Sequence, residues 1–318
     1  MTRAVPKGQI GAVVDLGSTS VHLLVARVVE HRTEPLADES VFLGLGAAVQ
    51  ARGLLGAEAR EVLVDALARY AGVARELDAE AITFVATEPL RRLADAARIV
   101  AEVEASTGVA LHVLTHEEEA FLTLIGVTEG RPVERGLLVV DIGGGSCEFV
   151  TVAPGQPAVA AGVRVGAAEL TRRFAAHDPP LPVELAAMTT AARDAVATAP
   201  ASRPEAVILV GGTASNLLKI TPTGRTDWRL TPADLGAAFA VVRGDPADVV
   251  GERFAVKPER ARILGAGTAI VAAIMERYGV EEIRVVDAGV REGTVIAVAH
   301  AGASWRDRLE ELAHGWVR

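Results

Sequence analysis

Two stretches of this chain follow one plan: VVDLGSTS at 13–20 and VVDIGGGS at 139–146. Each drives an apolar strand into an aspartate and then into small residues. The two aspartates, Asp15 and Asp141, stand a domain's length apart, so one domain design is laid down twice. Strand-like runs alternate with helical patterns around both copies, which predicts an α/β protein. Half of the 318 residues are hydrophobic, enough for two cores.

The rest of the chain fits that plan. IGAVVDLG (10–17) and VHLLVARVV (21–29) read as a hairpin, AITFVAT (81–87) and LHVLT (111–115) as strands. Leu63, Leu67, Tyr70, Ala74 and Leu77 share one face of a helix over 57–77. A second helix, 95–107, ends at Gly108. The polar stretch TEGRPVER breaks the chain, so the domains are expected at 1–127 and 128–318. After it come two strand–turn–helix units, 206–220 and 280–299. Trp305, Leu309, Leu312 and Trp316 predict a final helix over 303–316 that packs back onto the body, with the N-terminal domain as its expected seat.

Net charge is −9 and the isoelectric point about 5.4, which argues against nucleic-acid or membrane-surface binding. The apolar stretch from Ile263 to Met275 falls short of the ~20 residues that span a bilayer. The N-terminal residues have no secretory apolar core, so a cytoplasmic protein is expected. Cys147 is the single cysteine, which leaves no intrachain disulfide.

Small residues let a backbone approach a ligand, and successive N–H groups can cradle phosphate oxygens. One such loop is an ordinary turn. Two matching loops, Gly17, Ser18, Thr19 and Ser20 with Gly143, Gly144, Gly145 and Ser146, favour an anion held between facing repeats. An acid ending a buried strand needs a cation or a partner. Asp15 and Asp141 at equivalent places therefore point to a Mg²⁺ site, with Glu148 close enough in sequence to join. HEEEAFLTLIGV opens with three glutamates at a helix start, where the dipole favours acids. Glu119, last of the three, is the one positioned to turn inward and orient a water. VATEPLRR offers an arginine to grip phosphate, either Arg91 or Arg92.

Other chemistries fail. His112 and His116 straddle a strand end and make a poor metal pair. Cys147 lacks the arginine of a cysteine-phosphatase loop, Ser146 lacks the glycine of a nucleophile elbow, and no P-loop occurs.

Taken in order, VVDLGSTSVHLL, VATEPLRR, EEEAFLTLIGV, VVDIGGGSCEFV, GVRVGAAELTRRF, VGGTASNLLKI and AGVREG resemble the exopolyphosphatase/guanosine-pentaphosphate phosphohydrolase (Ppx/GppA) family of the actin-like ATPase and sugar-kinase superfamily. The resemblance implies two ribonuclease-H-like domains with a phosphate-binding cleft between them. It implies Glu119 as the residue activating water and Arg91 as the holder of the terminal phosphate. Asp141 and Glu148 match acids implicated in binding Mg²⁺ or another divalent cation. Gly211, Gly212 and Thr213 fall where relatives line a chain or nucleotide pocket. Family members are often homodimers.

Three residues depart from the pattern: Thr19 stands for an asparagine, Pro89 enters a turn usually without proline, and Glu169 adds a negative charge. No appended C-terminal helical domain follows, which with the acidic charge leads to an expected preference for short chains. The implied activity is release of terminal phosphate from polyphosphate, with guanosine pentaphosphate as the alternative substrate. A superfamily kinase and a nucleotide-dependent actin-like polymer are the alternatives from other classes.

Overall fold

The computed structural model describes residues 8–45 and 53–315. Residues 1–7 and Trp316, both used in the sequence reading, lie outside the described residues. The chain forms two compact units. One holds the chain through Pro132 and again from Ala288; the other is Val133–Asp287.

The first unit begins with β1 (Gln9–Leu16), β2 (Ser20–Val29), β3 (Arg32–Phe42), α1 (Ala57–Glu76) and β4 (Ala81–Ala86). It continues through α2 (Glu88–Arg91), α3 (Ala96–Thr107), β5 (Leu111–Val113) and α4 (His116–Thr128). Its sheet runs β3-β2-β1-β4-β5. β1 pairs antiparallel with β2 and parallel with β4. The helical face of α1 buries Leu63, Leu67, Tyr70 and Ala74 against that sheet, as the spacing predicts. Gly108 caps α3 at φ 69°, the left-handed conformation that glycine adopts without strain.

β3, RTEPLADESVF, has no counterpart in the sequence reading. It alternates between half-buried and exposed residues and carries Pro35 beside a bulge at Val25/Ala26. An edge strand tolerates charge and proline because one of its sides needs no ladder. That same freedom erases the apolar signal by which strands are recognised.

The second unit comprises β6 (Leu137–Ile142), β7 (Cys147–Val152), β8 (Val159–Val163), α5 (Ala167–Phe174), α6 (Pro182–Val196) and β9 (Ala206–Val210). There follow α7 (Gly211–Ile220), α8 (Gly224–Asp227), β10 (Arg229–Leu230), α9 (Pro232–Gly244) and α10 (Ala247–Phe254). α11 (Pro258–Ala261), α12 (Leu264–Tyr278) and β11 (Ile283–Val285) complete it. Its sheet order is β10-β11-β9-β6-β7-β8. Without β10, the order and strand directions of β8-β7-β6-β9-β11 repeat those of β3-β2-β1-β4-β5. The duplicated α/β design is therefore present in the backbone.

The apolar run from Ile263 is mostly α12, buried around its whole circumference, as a helix crossing a core must be. No helix among the described residues is long and apolar enough to cross a membrane.

The expected domain limits need correcting. Residues 128–132 stay with the first unit, and the chain returns to it at Ala288 with α13 (Val290–Ala301) and α14 (Leu309–Ala313). The unit read from sequence as strand–turn–helix over 280–299 is thus divided, its strand in one unit and its helix in the other. The physical cause is a backbone contact between helices. A Cβ built on Gly293 of α13 would stand 1.8 Å from the Leu122 carbonyl oxygen of α4. One on Gly126 would stand 2.2 Å from the Gly289 carbonyl oxygen. Only glycine at both positions lets α13 lie this close.

The expected helix over 303–316 is two short 3₁₀ turns, Gly302–Ser304 and Arg306–Arg308, followed by α14. Trp305, Leu309 and Leu312 are buried. Trp305 meets His112 edge-on at 5.4 Å, and Arg306 Nη2 donates to Glu118 Oε2 at 2.8 Å and to the Val113 carbonyl at 2.9 Å.

Candidate active site

In the first unit, β1 turns into β2 through Gly17, Ser18 and Thr19. The Gly17 N–H donates to the Ser20 carbonyl at 3.1 Å, and the Thr19 carbonyl accepts from Leu43 and Gly44. Thr19 thus fits the turn, held by its backbone. The Ser20 hydroxyl lies 2.6 Å from His22 Nε2.

The end of β1 is tied to the next functional segment. The Leu16 carbonyl accepts from the backbone N–H of Thr87 at 3.2 Å and from its hydroxyl at 3.3 Å. Thr87 caps α2, the single helical turn that carries Arg91. Pro89 sits in the first turn of that helix, where a missing N–H costs nothing.

Arg91 and Arg92, alike in chemistry, have different partners. Arg91 Nη1 donates to Glu119 Oε2 at 2.7 Å and to the Leu114 carbonyl at 2.9 Å, while Nη2 lies 3.1 Å from His116 Nδ1. Arg92 pairs with Glu88 at 3.1 Å and is more exposed.

Glu119 occupies the first turn of α4. Thr115 caps this helix reciprocally with Glu118. Glu118 is further bound by Arg306, and Glu117 is exposed. Of the three consecutive glutamates only Glu119 is buried. His116, set aside in the sequence reading, joins the cluster through Arg91. Its position one turn before Glu119 was the available signal.

Asp15 ends β1 beneath the loop. Its Oδ1 is buried with no hydrogen-bond partner among the described residues. Burial pushes its carboxyl up to about 6; Arg291 pulls it down and Glu292 pushes it up again. Arg291, from the AGVREG block, donates to Asp38 Oδ1 at 2.7 Å. A desolvated acid with an unmet oxygen is suited to a cation.

In the second unit β6 turns into β7 through Gly143, Gly144, Gly145 and Ser146. The Gly143 N–H donates to the Ser146 carbonyl at 3.0 Å, the same tie as in the first loop. The carbonyls of Gly143 and Gly144 accept from Ala167 and Glu169 at the start of α5. A Cβ on Gly166 would meet the Gly144 carbonyl and the Gly145 nitrogen at 2.3 Å, so the loop lies on the helix end itself. With its carbonyls bound inward, the loop has amides to offer an anion.

Asp141 and Glu148 are direct partners across β6 and β7. Gly211, at φ 90°, lies against Asp141 Oδ1. Ser146 donates its only hydroxyl proton to Glu148 Oε1 at 2.7 Å. A carboxylate accepts only, so Glu148 as a carboxylate holds that proton. Glu169 is ion-paired with Arg172 at 2.8 Å, which offsets the charge that set it apart from the family pattern.

Of the three residues matched to a chain or nucleotide pocket, Gly211 and Gly212 are accessible, but Thr213 is buried with its methyl group against Gly267. Gly212 faces the guanidinium of Arg260. Farther along α7 opens a cavity of about 630 Å³, lined by Ser215, Lys219, Arg225, Trp228, Phe254 and Asp287. Its residues come from separate helices and turns, which no local motif announces.

Cys147 is buried, and its thiol donates to the Val165 carbonyl at 2.8 Å. Burial first, then Glu148 and Asp141, push its pKa well up. It should stay unlabelled by an excess of a thiol-disulfide reagent at pH 8 in the native protein and react fully in guanidinium. Rapid labelling of the native chain would contradict this placement.

The family model of the Ppx/GppA phosphatase family matches residues 24–301. Exopolyphosphatase 1 of Mycobacterium leprae is 26% identical over 298 residues, covering 89% of this chain and 88% of that protein. The crystal structure of the Aquifex aeolicus Ppx/GppA family member superposes with a TM-score of 0.81 at 24% identity, covering 93% of this chain and 99% of that one. An exopolyphosphatase structure from Cytophaga hutchinsonii gives 0.78 at 21% identity, with 92% and 98% covered.

Proposed function

The chain belongs to the Ppx/GppA phosphatase family, enzymes of phosphoanhydride hydrolysis, and on that premise we propose that it removes the terminal phosphate from inorganic polyphosphate. The observation that carries this reading is the part-buried Arg91–Glu119 pair, 2.7 Å apart. It fixes a carboxylate at the start of α4 beside the guanidinium expected to bind phosphate. Glu119 orients a water and takes its proton as the water oxygen attacks the terminal phosphorus. The bond to the bridging oxygen breaks, leaving orthophosphate and a chain one unit shorter. Arg91 and the amides of the Gly17–Ser20 loop, which belong to the same unit, stabilise charge on the phosphoryl oxygens.

Asp141 and Glu148, opposite each other on β6 and β7, would hold a divalent cation, for which Mg²⁺ is the expected choice. Asp15 has its own unmet demand for positive charge. When bound, the cation would neutralise charge on a phosphate ligand. The net charge of −9 disfavours long polyanions and supports a preference for short chains.

Guanosine pentaphosphate is the second reading. The cavity beside α7, with the Trp228 ring and the cations Lys219 and Arg225, suits a nucleoside bearing phosphates. Phosphate release from tripolyphosphate, long polyphosphate, guanosine pentaphosphate and ATP decides between them. Tripolyphosphate should be fastest, and chelation should abolish turnover. Faster release from guanosine pentaphosphate would favour the second reading, and hydrolysis of none of the four would refute both.

A further inference from the structure

The two glycine loops share their hairpin length and the backbone tie that closes them, and they differ in the side chain that meets the closing serine. Each closes a hairpin with four residues between the last paired positions, Leu16↔Val21 and Ile142↔Cys147. Each is tied by a glycine N–H to a serine carbonyl, at 3.1 Å and 3.0 Å. In each, the serine hydroxyl meets the side chain two residues on, at 2.6 Å in one and 2.7 Å in the other. That partner faces the strand-end aspartate across the hairpin: His22 opposite Asp15, Glu148 opposite Asp141. His22 therefore holds the place of Glu148.

The exchange reverses what the hydroxyl can do. A hydroxyl has one proton and two lone pairs. Glu148 as a carboxylate can only accept, so the Ser146 proton points to it and lone pairs remain on the other side. An imidazole bearing a proton on Nε2 donates instead, whether neutral or charged. Phosphate oxygens of a polyphosphate accept, so a loop meeting them needs a hydroxyl whose proton is turned outward.

We propose that His22 is a positioning residue that donates its Nε2–H to Ser20 Oγ, turning the Ser20 proton toward a phosphate oxygen, whereas Glu148 turns Ser146 toward a cation. The two copies of the loop thereby acquire opposite polarity. This rests on the phosphohydrolase reading above and assigns a role that reading leaves open.

The test compares His22→Gln, whose amide N–H can donate, with His22→Glu, which as a carboxylate only accepts. Both are made in the wild-type chain and in Ser20→Ala. The readouts are kcat/KM for tripolyphosphate and the shift in Tm that tripolyphosphate produces. Ser20→Ala should lower kcat/KM about 10- to 100-fold, the range for a hydrogen bond to a charged group. His22→Gln should stay within about threefold of wild type, since amide and imidazole donors are alike in strength. His22→Glu should lose at least as much as Ser20→Ala. Adding Ser20→Ala to it should cost less than about twofold more, because coupled residues are not additive. His22→Ala runs the same cycle without a new charge if His22→Glu fails to fold. Equal activity of His22→Gln and His22→Glu, or additivity with Ser20→Ala, overturns the proposal. A wild type that is stabilised by tripolyphosphate without hydrolysing it would refute the phosphohydrolase reading alone, and the Tm shifts would still decide the role of His22.

Discussion

Glu119→Gln is expected to lower phosphate release from tripolyphosphate by about 10²- to 10⁴-fold, the range for a lost general base. The loss should fall on kcat, with KM little changed. Glutamine keeps the length and shape of the side chain, and its amide oxygen can still accept from Arg91 Nη1, now 2.7 Å from the carboxylate. It cannot take a proton from water. Stability should therefore change less than in Glu119→Ala, which leaves the half-buried Arg91 guanidinium without its anion and costs about 3 kcal/mol or more. Steady-state phosphate assays with thermal unfolding of both variants separate the two effects. A Glu119→Gln enzyme as active as wild type would remove Glu119 from the chemistry.

The second large effect is on the fold. Gly293→Ala is expected to destabilise the protein by about 3 kcal/mol or more, at the upper end for overpacking. Its new methyl would overlap the Leu122 carbonyl oxygen, 1.8 Å away, and would lie 3.0 Å from the Gly126 nitrogen. These are backbone atoms of α4, so relief requires moving a helix rather than a rotamer.

The helix in question carries Glu119 at one end, and α13 carries Arg291 and Glu292, which act on Asp15. Activity should fall together with stability. Gly236→Ala in the exposed side of α9 is the opposite control. Nothing lies within 4 Å of its Cβ, and alanine favours a helix by up to about 1 kcal/mol over glycine. Calorimetric or circular-dichroism melts should move in opposite directions for the two variants. A Gly293→Ala protein melting at or above wild type would contradict the close helix crossing.

The hairpins and their loops were legible because strand pairing is local. An apolar run and a glycine turn are written within about twenty consecutive residues, and the repeat doubles the signal. Helices with one buried face, such as α1, were legible for the same reason. The β3 edge strand was not, since a strand half in water carries little apolar pattern.

The amino-acid sequence alone carries the duplicated α/β plan, the two glycine loops and the acids that end their strands. Tertiary structure alone decided that Arg91 and not Arg92 meets Glu119, that His116 joins them, and that α13 rejoins the first unit across Gly126 and Gly293. It also decided that Ser20 and Ser146 have unlike partners. The physical reason lies in the range of the interactions. Period and turn chemistry act between neighbours in the chain, whereas the partner of a buried charge is set by how distant helices pack.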